Sequence, residues 1–293
     1  MIKKGIILSG GLGTRMSPLT KAVNKQLLPI YDKPLIYYSL SVLMLSKIRE
    51  ILIIVNEGQV DQYKKILSDG KNLGLKITYK EQNNPKGIPD AFILGEKFIG
   101  SDNVALILGD NFFYGQGLSD IIKRCINLKS GAIVLLYNVS NPELFGVAKI
   151  NKKNKKIEVL KEKPKKYVSN QAVTGIYFFD NDVIKLSKKL KPSNRNELEI
   201  IDLLNKYRIR KKLYAEFLGR GSAWLDAGSI EDYYKASAFV QAIENRQGLK
   251  IACIEEIAYF NKWINKSHIL KQIQFYGNCS YSDYLKKILE KKK

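Results

Sequence analysis

Five runs rich in aliphatic and β-branched residues, at 5–8, 50–55, 76–79, 104–108 and 132–137, alternate with segments whose apolar residues recur at helical spacing. Those segments lie at 36–46, 59–67, 90–98 and 118–128. Strand, helix, strand repetition can pack in few ways: a mostly parallel sheet with helices on both faces. Ligands of such sheets bind beyond the carboxyl ends of the strands. The loops after the strands are therefore where chemistry is sought.

The first of those loops is the most specific. Gly5-Ile6-Ile7-Leu8-Ser9 opens into Gly10-Gly11-Leu12-Gly13-Thr14-Arg15, and Lys25 follows. Glycines let backbone N–H groups close on an anion with no Cβ in the way, and Arg15 and Lys25 bring charge to the same mouth. A nucleoside triphosphate is the ligand expected there. Neither common phosphate motif fits. A dinucleotide fingerprint counted from Gly11 needs a sixth-position glycine where Met16 stands, and a Walker loop needs Gly-Lys where Gly13-Thr14 stands. Taken alone, the segment also reads as a glycine-rich turn between strand and helix.

Charge narrows the partners. Forty-nine Lys and Arg face 28 Asp and Glu, a net +21, which suits nucleic acid, an anionic membrane or phosphorylated substrates. The lysines are scattered, with runs at Lys152-Lys153-Asn154-Lys155-Lys156, 163–166 and Lys291-Lys292-Lys293, and no run is interleaved with base-stacking aromatics. Solvated lysine faces are the plainer account, and no nucleic-acid partner is expected. Cys125, Cys253 and Cys279 lie far apart and His268 is the one histidine. That excludes a zinc-spaced constellation and fits a reducing cytoplasm better than a disulfide scaffold. The early apolar run is too brief for a leader, and no stretch approaches the ~20 apolar residues of a membrane span.

The second half changes character. Residues 145–150 and 156–161 read as a hairpin around a Lys/Asn turn at 151–155, and 172–179 as a further strand. Helices are expected at 181–190, 230–246, 265–273 and 282–289. Val104-Ala105-Leu106-Ile107-Leu108 ends in Gly109-Asp110-Asn111, so Asp110 faces the glycine-loop edge, placed either to hold Mg²⁺ on a triphosphate or to cap the next turn. Ala223-Trp224-Leu225-Asp226 supplies a second carboxylate, and one or two suffice for Mg²⁺. Glu162 and Lys163 precede Pro164. In an extended segment they point to opposite sides unless the proline turn redirects one, and both also read as surface charge.

Taken in order, these features resemble the sugar nucleotidyltransferases, and their thymidylyl branch most closely. Supporting stretches are Lys25-Gln26-Leu27-Leu28-Pro29-Ile30-Tyr31-Asp32-Lys33-Pro34, Val173-Thr174-Gly175-Ile176-Tyr177, Glu197-Leu198-Glu199-Ile200 and Glu244-Asn245-Arg246-Gln247-Gly248-Leu249-Lys250. The resemblance runs from about residue 4 to about 289. It implies a Rossmann-like three-layer α/β/α nucleotidyltransferase fold with a mostly parallel central sheet, a small sugar-binding β subregion and a helical C-terminal tail. A catalytic domain would occupy 1–240, with its nucleotide half at about 1–130 and its sugar-phosphate half at 131–240. Residues 241–293 would form a subunit interface of a homotetramer.

The reaction so implied is dTTP plus glucose 1-phosphate giving dTDP-glucose and pyrophosphate, with Mg²⁺ as cofactor. Its nucleotide contacts would be Leu8, Gly10, Gly11, Gly13, Thr14, Arg15, Lys25, Gln26, Gln82, Gly87 and Asp110. Asn111, Gly146, Glu162, Lys163, Val173, Arg195 and Trp224 would meet the sugar phosphate, and Asp110 and Asp226 would bind the metal. Arg15, Lys25 and Lys163 would act in catalysis. Departures from the family pattern fall in three segments: Ile88-Pro89-Asp90 near the base, Phe145 and Lys149 near the sugar, and Phe260 in the tail, the last bearing on a second, regulatory nucleotide site.

Overall fold

The computed structural model describes residues 1–151 and 156–290. The lysine-rich turn expected at 151–155, apart from Asn151, and the terminal lysine run lie outside the described residues. The strands are β1 (Lys4–Ser9), β2 (Pro29–Ile30), β3 (Lys33–Pro34), β4 (Glu50–Asn56), β5 (Lys76–Gln82), β6 (Val104–Leu108), β7 (Asn111–Gly115), β8 (Ala132–Asn138), β9 (Gly146–Ile150), β10 (Ile157–Glu162), β11 (Gln171–Phe179), β12 (Leu213–Phe217) and β13 (Ser222–Asp226). The helices are α1 (Leu35–Leu45), α2 (Val60–Leu67), α3 (Asp90–Leu94), α4 (Glu96–Ile99), α5 (Leu118–Ile126), α6 (Asp182–Ser187), α7 (Ile200–Ile209), α8 (Ile230–Gln247), α9 (Ile254–Phe260), α10 (Lys266–Tyr276) and α11 (Ser280–Glu290).

The main sheet runs β12-β8-β11-β6-β1-β4-β5, with the β9–β10 hairpin joined to the first half of β11. β5, β4, β1 and β6 are parallel, while β11 runs against both β6 and β8. Ile7 aligns with Ile53 on one side and Ile107 on the other. That register brings Ser9, Asn56, Gln82 and Leu108 to a common edge, from which the glycine loop and Gly109-Asp110 emerge.

Strand alternation assigns side chains to two cores. Ile51, Ile53 and Val55 face a cluster with α1, α5 and the helices after α8, whereas Leu52 and Ile54 face one with α3, α6 and α7. A sheet covered on both faces has no polar side to show, hence the unbroken apolar runs. Each fully buried Ile or Leu contributes about 1.5–3 kcal/mol. The result is the three-layer α/β/α arrangement expected.

Several elements differ from the sequence expectation. The helix expected over 90–98 divides at Gly95 into α3 and α4, and the glycine is closely packed there: a Cβ would meet Ala91 O at 2.9 Å and Ile6 Cδ1 at 3.1 Å. β5 continues to Gln82, past the expected end at Tyr79, since its pairing with β4 persists to Asn56. α7 was not anticipated, although Ile200, Leu203, Leu204 and Tyr207 have helical spacing and are buried. Nor were β7 and β13, whose pairing is local to a separate two-stranded sheet.

That small sheet matters most for the site. α8 starts where the Ser229 side chain accepts from Asp232 N–H and ends at left-handed Gly248, and it lays Tyr233, Ala236 and Val240 on a third core with Phe112 of β7. α8 runs unbroken through residue 240, and the separate helical tail begins after Gly248. Cys253, Ile264, Tyr281 and Leu285 of that tail join the core behind α1. Among the described residues, no helix is long and apolar enough to cross a membrane.

Candidate active site

The glycine loop is held in shape by hydrogen bonds to its neighbours. Gly11 and Gly13 have φ of 101° and 59°, values that favour glycine. Gly11 N–H donates to Asn56 Oδ1 at 2.9 Å, Asn56 Nδ2 donates to Gly11 O at 2.9 Å, and Thr20 Oγ1 donates to Gly13 O at 2.8 Å. Asn56 therefore takes the Gly11 N–H that an anion was expected to use. Binding falls to the remaining groups of the mouth.

Leu8, Gly10, Gly11 and Arg15 line one cavity of about 330 Å³ with Gln26, Gln82, Gly87 and Asp110. Eight expected nucleotide contacts thus converge. The Gln82 amide lies over Gly10, where an added Cβ would meet Nε2 at 2.6 Å. Gln26 is 3% exposed, and its Oε1 is buried with no hydrogen-bond partner. A buried orphan acceptor at a cavity awaits a donor. Pro85, Ile88 and Leu108 supply an apolar wall, while Thr14 and Lys25 line an adjoining cavity. Pro89 is the N-cap of α3, so the departure at 88–90 forms the helix start beside this wall.

Beyond this wall lies the charge cluster. Lys25 Nζ donates to Asp110 in a close ion pair, with both side chains largely buried. Register sets Asp226 of β13 opposite Asn111 of β7, next to Asp110, and Ala227 N–H donates to Asp110 O at 3.1 Å. Arg15 closes the other side: a Cβ on Gly228 would lie 3.0 Å from Arg15 Nη2 and 3.1 Å from Asp226 Oδ1. Burial alone would raise Asp110, but the Lys25 charge and hydrogen bond, with Asn111 Nδ2 donating at 3.0 Å, hold it below the usual carboxylate range. Burial and the charge of Asp110 push Asp226 up to about 7, against the pull of Lys25 and Arg15. Two carboxylates forced together, with hard oxygen donors, suit a divalent cation that completes its shell with phosphate and water.

The expected sugar-phosphate residues form a second group. Asn111 Oδ1 accepts from Gly175 N–H at 3.1 Å and Trp224 Nε1 at 2.6 Å, so both polar side chains hold β7, β11 and β13 together instead of projecting free. Trp224 packs on Phe145 and Tyr137. Phe145 has no hydroxyl, and its ring serves this stack. Arg195 forks onto Glu199, at 3.1 and 2.7 Å, and reaches Glu162 at 3.4 Å. Lys163 has a left-handed φ of 38°, and its N–H donates to Phe145 O at 3.0 Å, so the chain does turn between Glu162 and Lys163. A Cβ on Gly146 would sit 3.1 Å from Glu162 Oε2, and Val173 is 7% exposed on β11.

Two residues were missed. Burial, then the charges of Glu162, Asp226 and Asp110, raise the Tyr177 hydroxyl above its ordinary range, so its phenol feels the carboxylates of both groups. Its place in Val173-x-Gly175-x-Tyr177, one strand face, was the available signal. Glu197 also lines the cavity of Gln26 and Gln82.

Residues 4–243 match the family model described as nucleotidyl transferase. The chain belongs to the nucleotidyl transferase family. It is 47% identical to a glucose-1-phosphate thymidylyltransferase of Neisseria meningitidis, over 98% of this chain and 100% of that one. A protein of the same designation from Mycobacterium tuberculosis is 42% identical over 98% and 99%. The structure of a UDP-glucose pyrophosphorylase complexed with UDP-glucose superposes with a TM-score of 0.73 at 28% identity, covering 84% of this chain and 100% of that one.

A nucleotidyltransferase needs positioned anions and cations more than a nucleophilic side chain. His268, in keeping with this, caps α10 by bonding to Asn265. The Gly87 wall of this cavity is tied to the segment that carries Arg195 and Glu199 by Leu198 N–H, which donates to Lys86 O at 2.7 Å. At Gly87, with φ 97°, a Cβ would lie 2.1 Å from Leu198 O. Gly87→Ala is therefore expected to cost about 2–4 kcal/mol of stability and to raise the nucleotide KM about tenfold. Melting curves and initial rates check it, and an unchanged nucleotide KM would refute the coupling.

Proposed function

We propose that the protein transfers a thymidylyl group from dTTP to α-D-glucose 1-phosphate, giving dTDP-glucose and pyrophosphate. The supporting observation is the meeting, at one sheet edge, of an apolar-walled polar cavity with Lys25, Arg15, Asp110 and Asp226. Likeness to thymidylyltransferases over 98% of the chain, at 47% and 42% identity, supports the choice of substrates.

Glucose 1-phosphate brings its own nucleophile, since the second ionisation of a phosphate monoester lies at about pH 6. Its oxygen bonds to the α-phosphorus while the bond from that phosphorus to the bridging oxygen breaks, and the electron pair leaves on pyrophosphate. No general base is required. Arg15 and Lys25 draw the triphosphate in and balance charge on the leaving group, while Lys163 and Arg195 orient the sugar phosphate. Arg195 must exchange a carboxylate for that phosphate, because Glu199 and Glu162 hold it otherwise. Asp110 and Asp226 are the residues that would hold Mg²⁺, which when bound offsets phosphate charge. Gln82 offers a donor and an acceptor to the O4 and N3–H edge of thymine, and Gln26 an acceptor.

This reading also takes the enzyme as cytoplasmic, as a homotetramer using the region after 241 at a subunit interface, and as a source of dTDP-sugars on the way to rhamnose. The deciding assay supplies glucose 1-phosphate and Mg²⁺ with dTTP or UTP and measures pyrophosphate release. Faster turnover with dTTP is expected. A preference for UTP would transfer the reading to a uridylyltransferase, and silence with both would overturn it.

A further inference from the structure

Asp110 leaves the main sheet on a short turn, for β6 ends at Leu108 and β7, in a different sheet, begins at Asn111. Gly109 adds no side chain to anchor that turn. The Asp110 carboxylate pairs with Lys25, which stands on another turn, Lys25–Leu27. The relative placement of the two turns therefore fixes the ion pair, and α1 is what holds both.

Leu35 opens α1, where a backbone N–H has no partner within its own helix. It donates to Leu28 O at 3.0 Å, and Leu28 N–H in turn donates to Lys25 O at 3.1 Å. One helical turn further on, Ser39 Oγ donates to Leu108 O at 3.0 Å and to Asn111 O at 3.2 Å, the two carbonyls that bracket Gly109 and Asp110. Positions 35 and 39 share a helix face. Between them Tyr38 adds a hold on each side, its hydroxyl donating to Ile30 O at 2.8 Å and its ring meeting Phe112 edge-on at 5.3 Å. A serine within a helix commonly bonds back to a carbonyl of the preceding turn. Ser41 and Ser46 do so, donating to Tyr38 O and Val42 O at 2.7 Å. Ser39, fully buried, directs its hydroxyl out of the helix to the Asp110 turn.

We propose that Ser39 is a positioning residue for Asp110: one face of α1 carries both turns, and the Ser39 hydroxyl sets the place of the acid against Lys25. The proposal rests on the nucleotidyl-transfer reading, which puts that pair at the triphosphate. Loss of the hydroxyl frees the turn on its α1 side while every side chain assigned to substrate remains. Ala227 N–H still holds Asp110 O at 3.1 Å, so the turn loosens without coming away. A misplacement of about 1 Å at a reacting centre costs up to about 10² in rate, and a turn still held on one side loses less.

The test compares Ser39→Ala with Ser41→Ala, two buried hydroxyls of one helix that differ in where they donate. Both variants are expected to melt about 2–4 °C below wild type. Pyrophosphate release separates them. Ser39→Ala should lower kcat about tenfold and leave the KM of dTTP and of glucose 1-phosphate within about twofold, whereas Ser41→Ala keeps the wild-type kcat. Trp224 gives a reading that needs no turnover. Its Nε1 donates to Asn111 Oδ1 at 2.6 Å, so in a Trp263→Phe background, where it is the one remaining tryptophan, its emission reports the order of the turn. Ser39→Ala should shift that emission to the red, and Ser41→Ala should leave it in place. A folded Ser39→Ala protein with the kcat and emission of wild type overturns the proposal, as does an equal fall in kcat for both variants. If Ser39→Ala does not fold, Ser39→Cys, close in shape but a weak donor, is expected to show a smaller change in the same direction, and no change overturns the proposal. If wild type releases no pyrophosphate, the transfer reading fails, and the emission alone decides the role of Ser39.

Discussion

Lys25→Met is expected to lower kcat about a thousandfold and the melting temperature by about 4–8 °C. Two effects add. Loss of one pre-placed charge from a site of developing negative charge costs about 10²–10³ in rate. Asp110 also loses the partner that outweighs its burial, leaving two neighbouring carboxylates with Arg15 alone. The pair with Lys25 lowers Asp110 below its unfolded value, so its contribution is present above pH ~4 and lost as pH falls through the folded value. At pH 7 the variant lacks it. Breaking such a pair leaves an uncompensated charge, here put at ~2 kcal/mol because both groups retain some water contact. Single-turnover pyrophosphate release and a melting curve measure the two effects separately. A folded variant within tenfold of the wild-type rate would remove Lys25 from the chemistry.

Both findings depend on elements that the sequence revealed unequally. The four parallel strands are legible because strands buried on both faces must be apolar throughout, and their ends locate Gly10, Asp110 and Gln82. Asp226 was recognised by its neighbours Trp224 and Gly228. Its pairing with β7, which sets it beside Asp110, was not legible, since a two-stranded contact between residues 111 and 226 leaves no periodic trace. Asn111 is the instructive case. The family resemblance offers it as a sugar contact, and three hydrogen bonds to Gly175, Trp224 and Asp110 also make it a tie between strands. Long-range hydrogen bonding of that kind cannot be read from spacing. Asn56 is similar, for its grip on Gly11 depends on the register of β1 against β4.

Asp226→Asn is expected to abolish turnover by about a thousandfold and yet to stabilise the metal-free protein above pH 7. Asp226 is shifted upward by burial first and by Asp110 second. Its proton is therefore held in the folded state up to about pH 7, while the unfolded chain releases it near pH ~4. Between those limits the folded state binds more protons, so stability falls as pH rises, and the loss is complete above the folded value. Asparagine is neutral in both states and escapes it. Wild type and variant should thus melt alike near pH 4 and diverge through pH 7, the variant ahead by an amount on the order of 2 kcal/mol at pH 8. Addition of Mg²⁺ at pH 8 should reverse the order, because a ligand of the folded state raises stability only where its donors remain. Melting curves at the two pH values, with and without Mg²⁺, give all four quantities. If the variant melts below wild type at pH 8 without the cation, Asp226 is not held against its own charge, and the two-carboxylate site must be reassigned.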